Sequence, residues 1–137
     1  MGIKTYDWPD LIQAIKDTLK QGKRCVVKND KTGNLNCVYN GEDGAHCVVG
    51  HMIKNDQHAQ HTIDAECLNN GPSAATLVEY EAFYLKEDRQ FMNAVYEAQQ
   101  IHDGYTGDMD VKTWAKQFAD ILNRRGYDIT ANELLGE

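Results

Sequence analysis

The residues best equipped for chemistry cluster in two places. One is Cys37-Val38-Tyr39-Asn40-Gly41-Glu42-Asp43-Gly44-Ala45-His46-Cys47-Val48-Val49-Gly50-His51, where two thiols flank a Gly-x-x-Gly turn and His51 follows Cys47 by one helical turn. The other is His102-Asp103, at the end of a stretch with helical spacing. Three chemistries compete for them. A cysteine-dependent hydrolase would use Cys47 as nucleophile, its thiolate favoured at the start of a short helix, with His102 as base and Asp103 orienting the imidazole. Because Asp103 adjoins His102, it reaches that ring only where the helix ends and the chain turns back. A zinc-stabilised module would draw on Cys37, Cys47, His51 and His102, the soft thiolates and imidazoles that tetrahedral Zn²⁺ prefers. Its weakness is spacing, since nine residues separate the cysteines where structural zinc sites pair ligands two to four apart. His46 does not repair this, because neighbours on a strand point to opposite faces.

The third chemistry is structural, and it is the preferred one. Free cysteine behaves as a small buried hydrophobe, Gly41, Gly44 and Gly50 serve tight turns and close approach, and a histidine on an apolar helix face is ordinarily hydrogen-bonded to backbone. Cys37, Tyr39, Gly41, Gly44, Cys47 and Gly50 then form a structural motif, and His102 ties the later helices to a hairpin through one buried hydrogen bond. No catalytic residue, cofactor or metal is required, zinc being the alternative cofactor.

The elements that would position these residues follow from periodicity. Trp8, Leu11, Ile12, Ile15 and Leu19 share one face of a helix over about 8–21, with Asp7 as N-cap, Pro9 in the first turn and Gly22 as stop. Arg24-Cys25-Val26-Val27-Lys28 and Leu35-Asn36-Cys37-Val38-Tyr39 read as strands joined by the turn-rich 29–34. Ala45 to Ile53 reads as a strand end entering a short helix, and the polar stretch 54–72 as a surface loop. Ser73 caps a helix over about 74–85, Asp88 another over about 89–102 with His102 on its apolar face, and Asp110 a third over 111–124 with a Trp114 stripe destined for the core. Thr130-Ala131-Asn132-Glu133 fits a capping box. These elements predict one α+β domain over 1–137: a small antiparallel hairpin or three-stranded sheet packed against four to five helices.

The 37–53 segment resembles the signature of small, uncharacterised bacteriophage and prophage proteins: a cysteine, a tyrosine two residues on, Gly-x-x-Gly, a second cysteine, then Val-Gly and Met-Ile. The likeness continues in Gln99-x-Ile101-His102-Asp103 and the Trp114 helix, covering about two-thirds of the chain in outline. It implies a shared fold and a place in the cytoplasm of an infected bacterium, with no reaction attached. The 54–72 stretch, with His58 and His61, departs from the pattern.

Other features weigh less. His58 and His61 lack a third ligand and read as a solvated pair. Gly41 to Gly44 lacks the Lys-Ser or Lys-Thr of a phosphate-binding loop, and Gly104 to Gly107 has acidic neighbours. Tyr80, Phe83, Tyr84 and Tyr96 are interface aromatics if any remain at the surface.

In 137 residues, 21 acidic side chains face 14 basic ones, for a net charge of −7. Residues 1–31 carry seven basic side chains against four acidic, a local +3, and the remainder carries −10. This balance argues against a general grip on nucleic acid, which needs clustered Lys and Arg. No apolar run suits a membrane span or a secretory signal, so the cytoplasm is the expected location, with Cys25, Cys37, Cys47 and Cys67 as reduced thiols. The expectation is a small acidic protein that acts by binding a host or phage macromolecule, a protein being the expected partner and inhibition of a host defence or host enzyme one form of that action, with a homo-oligomer as a further reading.

Overall fold

Asp7 begins the first helix as the sequence anticipates. In a computed structural model, which describes residues 3–28, 31, 35–41, 44–69, 73–105 and 109–136, its carboxylate accepts the Trp8 N–H while Asp10 reaches back to the Asp7 N–H, closing a capping box. The helix α1, Trp8–Gln21, stops at Gly22, whose φ of 72° is the left-handed conformation that favours glycine. Its buried face, Leu11, Ile12, Ala14, Ile15, Thr18 and Leu19, is the centre of the molecule. Against it pack α2 (Val48–Ile53), α5 (Arg89–Asp103), α6 (Val111–Arg124) and α7 (Ala131–Leu135).

α5, α6 and α7 start at Asp88, Asp110 and Thr130, each accepting backbone N–H groups of its first turn. Trp114, fully buried on α6, stacks on Tyr105 with ring centroids 3.9 Å apart and donates its indole N–H to the Ile101 carbonyl at 3.1 Å. The last turn of α5, which carries His102, is thereby pinned.

The expected fold class is corrected. The protein is mainly helical, with seven helices among the described residues, and the strands make no layer. One ladder is parallel, pairing β1 (Thr5–Tyr6) with β4 (Tyr84–Leu85), a contact no local pattern announces. The other pairs β2 (Val26–Lys28) with β3 (Leu35–Cys37) in antiparallel register, Val26 opposite Cys37, over three residues per strand. The two ladders are separate, and neither hairpin nor three-stranded sheet serves as a platform for the helices. Sheets this small cannot cover a helical face, so the helices bury their apolar stripes against one another.

Two helical expectations also change. The 54–72 stretch contains α3 (Gln57–Ala65): Asp56 caps it, and Ala59 and Ile63, one turn apart, are its buried pair beneath an otherwise polar surface. A helix with so narrow an apolar stripe is easily read as loop. The helix expected over 74–85 is only α4 (Ala74–Glu79), because the chain turns at Glu81, φ 60°, to send Ala82 and Phe83 into the core and Tyr84 beside β1.

Candidate functional site

The two glycines of the Gly-x-x-Gly segment lie close together. Gly44, φ 83°, donates its N–H to the Gly41 carbonyl at 3.3 Å, and Gly41 donates to the Ala45 carbonyl at 2.8 Å, so Asn40 and His46 form an antiparallel bridge. In this kind of pair the N–H and C=O of both bridged residues point outward and need partners. Side-chain amides supply them. On one side Gln21, the last residue of α1, donates Nε2–H to the His46 carbonyl at 2.9 Å and accepts the His46 N–H at 2.9 Å. On the other, Asn69 accepts the Asn40 N–H at 2.8 Å and donates to its carbonyl at 2.9 Å. Two amides thus stand where neighbouring strands would.

Gln21 Oε1 also lies 2.9 Å from His51 Nε2, and because an amide oxygen only accepts, His51 carries its proton on Nε2. Its Nδ1 is left buried without a hydrogen bond. Burial, followed by the nearby Lys54 and His46, depresses the His51 pKa to about 4. The His46 ring sits edge-on to it at 5.1 Å, with its own pKa lowered chiefly by burial.

α2 grows from this loop. Cys47 is its N-cap, the sulfur accepting the Gly50 N–H at 3.3 Å, and Gln99 of α5 caps the same end by accepting the Val49 N–H at 3.1 Å. Gly50 lies so close to the segment after β3 that a Cβ placed there would fall 2.0 Å from the Tyr39 carbonyl oxygen. Only glycine allows that approach. Tyr39 is buried, donates its N–H to the Asn69 carbonyl at 3.1 Å, and has its phenol pKa raised mainly by burial.

His102 is fully buried. Its Nε2 accepts the Cys25 backbone N–H at 3.0 Å, and its Nδ1–H donates to Asp103 Oδ1 at 2.8 Å, which defines the tautomer. The aspartate therefore does orient the imidazole. The nitrogen a base would need is instead occupied by backbone.

In comparisons with known proteins, no family model, curated protein or solved structure matches this chain.

The structure brings the two sequence clusters together: Gln99 meets α2 at Val49, and His102 meets the segment leading into β2 at Cys25. It does not assemble a catalytic set from Cys47, His102 and Asp103. Cys47 has no exposed surface, no hydrogen bond joins it to His102, and burial pushes its thiol up to about 12, against the smaller opposite pull of the Gly50 N–H and Gln99. A thiol held protonated is not a nucleophile. Among the described residues no group of three or more His, Cys, Asp and Glu is placed to hold a metal. His51 and His102 commit ring nitrogens to Gln21, Cys25 and Asp103, and Cys47 faces Gly50. Cys37 lies in β3 opposite Val26, and the readings that need its thiol lie outside the described residues, as do Glu42, Asp43 and most of the 29–34 connection.

The remaining candidates are dispersed. His58 bonds the Glu81 carbonyl at 2.8 Å and His61 is exposed. Phe83 is fully buried, Tyr84 and Tyr96 are half-buried, and Tyr80 keeps 50% of its surface exposed. Sequence reasoning missed Gln21 and Asn69 altogether. Their one local signal is a polar amide at the edge of an apolar element, and it does not name a partner 25 or 29 residues away.

Proposed function

We propose that this is a small acidic, phage-encoded protein that acts in the host cytoplasm by binding a host or phage protein, and so inhibits a host defence or host enzyme. The observation that carries the reading is the state of the reactive-type residues: Cys47 is sealed and protonated, and both nitrogens of His102 are engaged by Cys25 and Asp103. Their work is to cap α2 and to tie α5 to the segment leading into β2, and the surface is left to supply the function. The net charge of −7 supports a partner with basic character. The likeness of the 37–53 and 99–103 segments to phage proteins supports the provenance. No helix among the described residues is long and apolar enough to cross a membrane.

Native mass spectrometry of tagged protein captured gently from bacterial lysate tests this. A stoichiometric complex with a second protein, retained by Cys47→Ala, is the expected result. A substrate turned over by the pure protein and spared by Cys47→Ala would overturn the reading in favour of a cysteine hydrolase, and a stoichiometric zinc would overturn the assignment of the cluster to hydrogen bonding alone. Thiol labelling gives the same answer independently: Cys67 is exposed and reacts first, whereas Cys25 and Cys47 react on unfolding.

A further inference from the structure

An open groove of about 510 Å³ runs beside the β1–β4 ladder, lined by Thr5, Val78, Tyr84, Leu85, Glu87 and Met92. It exists because α4 stops at Glu79 and the chain turns at Glu81, so that nothing among the described residues covers the flank of α4 and the start of α5. Val78 and Met92 pack on the core but keep part of their surface in solvent, and Leu85 forms the floor.

The charge around this apolar strip is mostly acidic, with exposed Arg89 at the start of α5 the exception. Glu87 lines the groove, burial together with the nearby Glu81 raises the pKa of the Tyr84 phenol, and Glu79 follows Val78. All three carboxylates are exposed, and none forms an ion pair among the described residues. The lysines of this region are drawn elsewhere: Lys86 pairs with Asp7 at 3.5 Å, and Lys4 sits over the Tyr6 ring at 4.7 Å with Asp10 at 4.0 Å. Glu97, by contrast, is matched by Arg124 and Arg125.

We propose that this groove docks a basic, apolar segment of a partner protein, an aliphatic side chain resting on Val78, Leu85 and Met92 while Lys or Arg residues meet Glu81 and Glu87. The assignment rests on the binding reading above and specifies where and by what chemistry the partner is held. Unpaired carboxylates around an apolar floor select cationic partners and reject acidic ones.

The test is fluorescence anisotropy with a labelled peptide of about twelve residues alternating Lys and Leu, and its Glu-Leu counterpart. The Lys-Leu peptide is expected to bind, to weaken as salt rises, and to lose about tenfold in affinity to Glu81→Gln/Glu87→Gln. Asp120→Asn/Asp128→Asn, which removes two charges elsewhere, keeps the wild-type affinity. Equal loss in both double variants, binding of the Glu-Leu peptide at the same strength, or no binding of either peptide overturns the groove. A lysate partner retained equally by wild type and Glu81→Gln/Glu87→Gln overturns the groove and leaves the binding reading standing, whereas a Cys47-dependent turnover overturns that reading itself.

Discussion

Around the Asn40–His46 bridge, Gln21, Asn69, Cys47, Gln99 and His102 all commit hydrogen-bonding atoms to backbone groups inside the molecule. Around the β1–β4 ladder, Glu79, Glu81 and Glu87 form no ion pair among the described residues and stand beside an apolar strip. The first region holds the residue types usually associated with catalysis or metal binding, the second only ordinary acidic and aliphatic ones. Availability separates them. A buried imidazole whose lone pair accepts an N–H is a structural bracket, and an exposed carboxylate without a counter-ion is free to meet a partner.

The comparison breaks most sharply at Gly50. Gly50→Ala drives a methyl group into the Tyr39 carbonyl, which is backbone and cannot swing aside, with the His46 Cβ a further 3.1 Å contact. A loss of more than about 3 kcal/mol is expected, read as a large fall in denaturant midpoint or as failure to fold. A variant as stable as wild type would mean that α2 does not lie on the 39–46 loop as described.

Next comes His102→Ala, which strands the buried Cys25 N–H and empties space beside Trp114. It should cost about 3 kcal/mol, a fall in Tm of about 10 °C. His102→Gln, which retains an acceptor, recovers part of that loss. If His102 served catalysis instead of structure, the alanine variant would melt like wild type.

The third probe is pH. His51 titrates near 4 in the folded protein and near 6.5 when exposed, so between those values the unfolded chain binds the extra proton. The contribution of His51 to stability is therefore complete above about pH 6.5 and drains away as pH falls towards 4. Its size is on the order of 1–2 kcal/mol once partial solvent exposure is allowed for. Thermal melts from pH 7 to pH 4 read it, and His51→Gln, which can still pair with Gln21, should flatten the slope; an unchanged slope would place the acid sensitivity elsewhere.

The smallest effect belongs to the groove. Glu81→Gln/Glu87→Gln should leave stability within about 0.5 kcal/mol of wild type, since neither carboxylate is in an ion pair to be broken. A large destabilisation would show that these residues belong to the structural class after all, and the contrast between the two regions would collapse.

Much of the helical scaffold was legible locally. Asp7, Ser73, Asp88, Asp110 and Thr130 mark helix starts, and Gly22 a helix end, by hydrogen bonds that span one turn. α3 was obscured because Ala59 and Ile63 are a thin stripe, and α4 was overextended because nothing in Tyr80-Glu81-Ala82 announces a left-handed residue at Glu81. The motif residues and the buried backbone hydrogen bond of His102 were legible, and the partners of Gln21, Asn69 and Gln99 were not.

By itself, then, the sequence determined where most helices begin and end, which faces they bury, the acidic balance and the identity of the unusual residues, because caps, periodicity and charge are short-range properties of the chain. Tertiary packing settled that two side-chain amides replace the flanking strands of a sheet, that β1 pairs with β4 about eighty residues later, and which backbone groups Cys47 and His102 engage. Those outcomes depend on which groups lose water together when distant segments pack, and burial, more than residue type, sets whether a thiol, an imidazole or a carboxylate remains free to act.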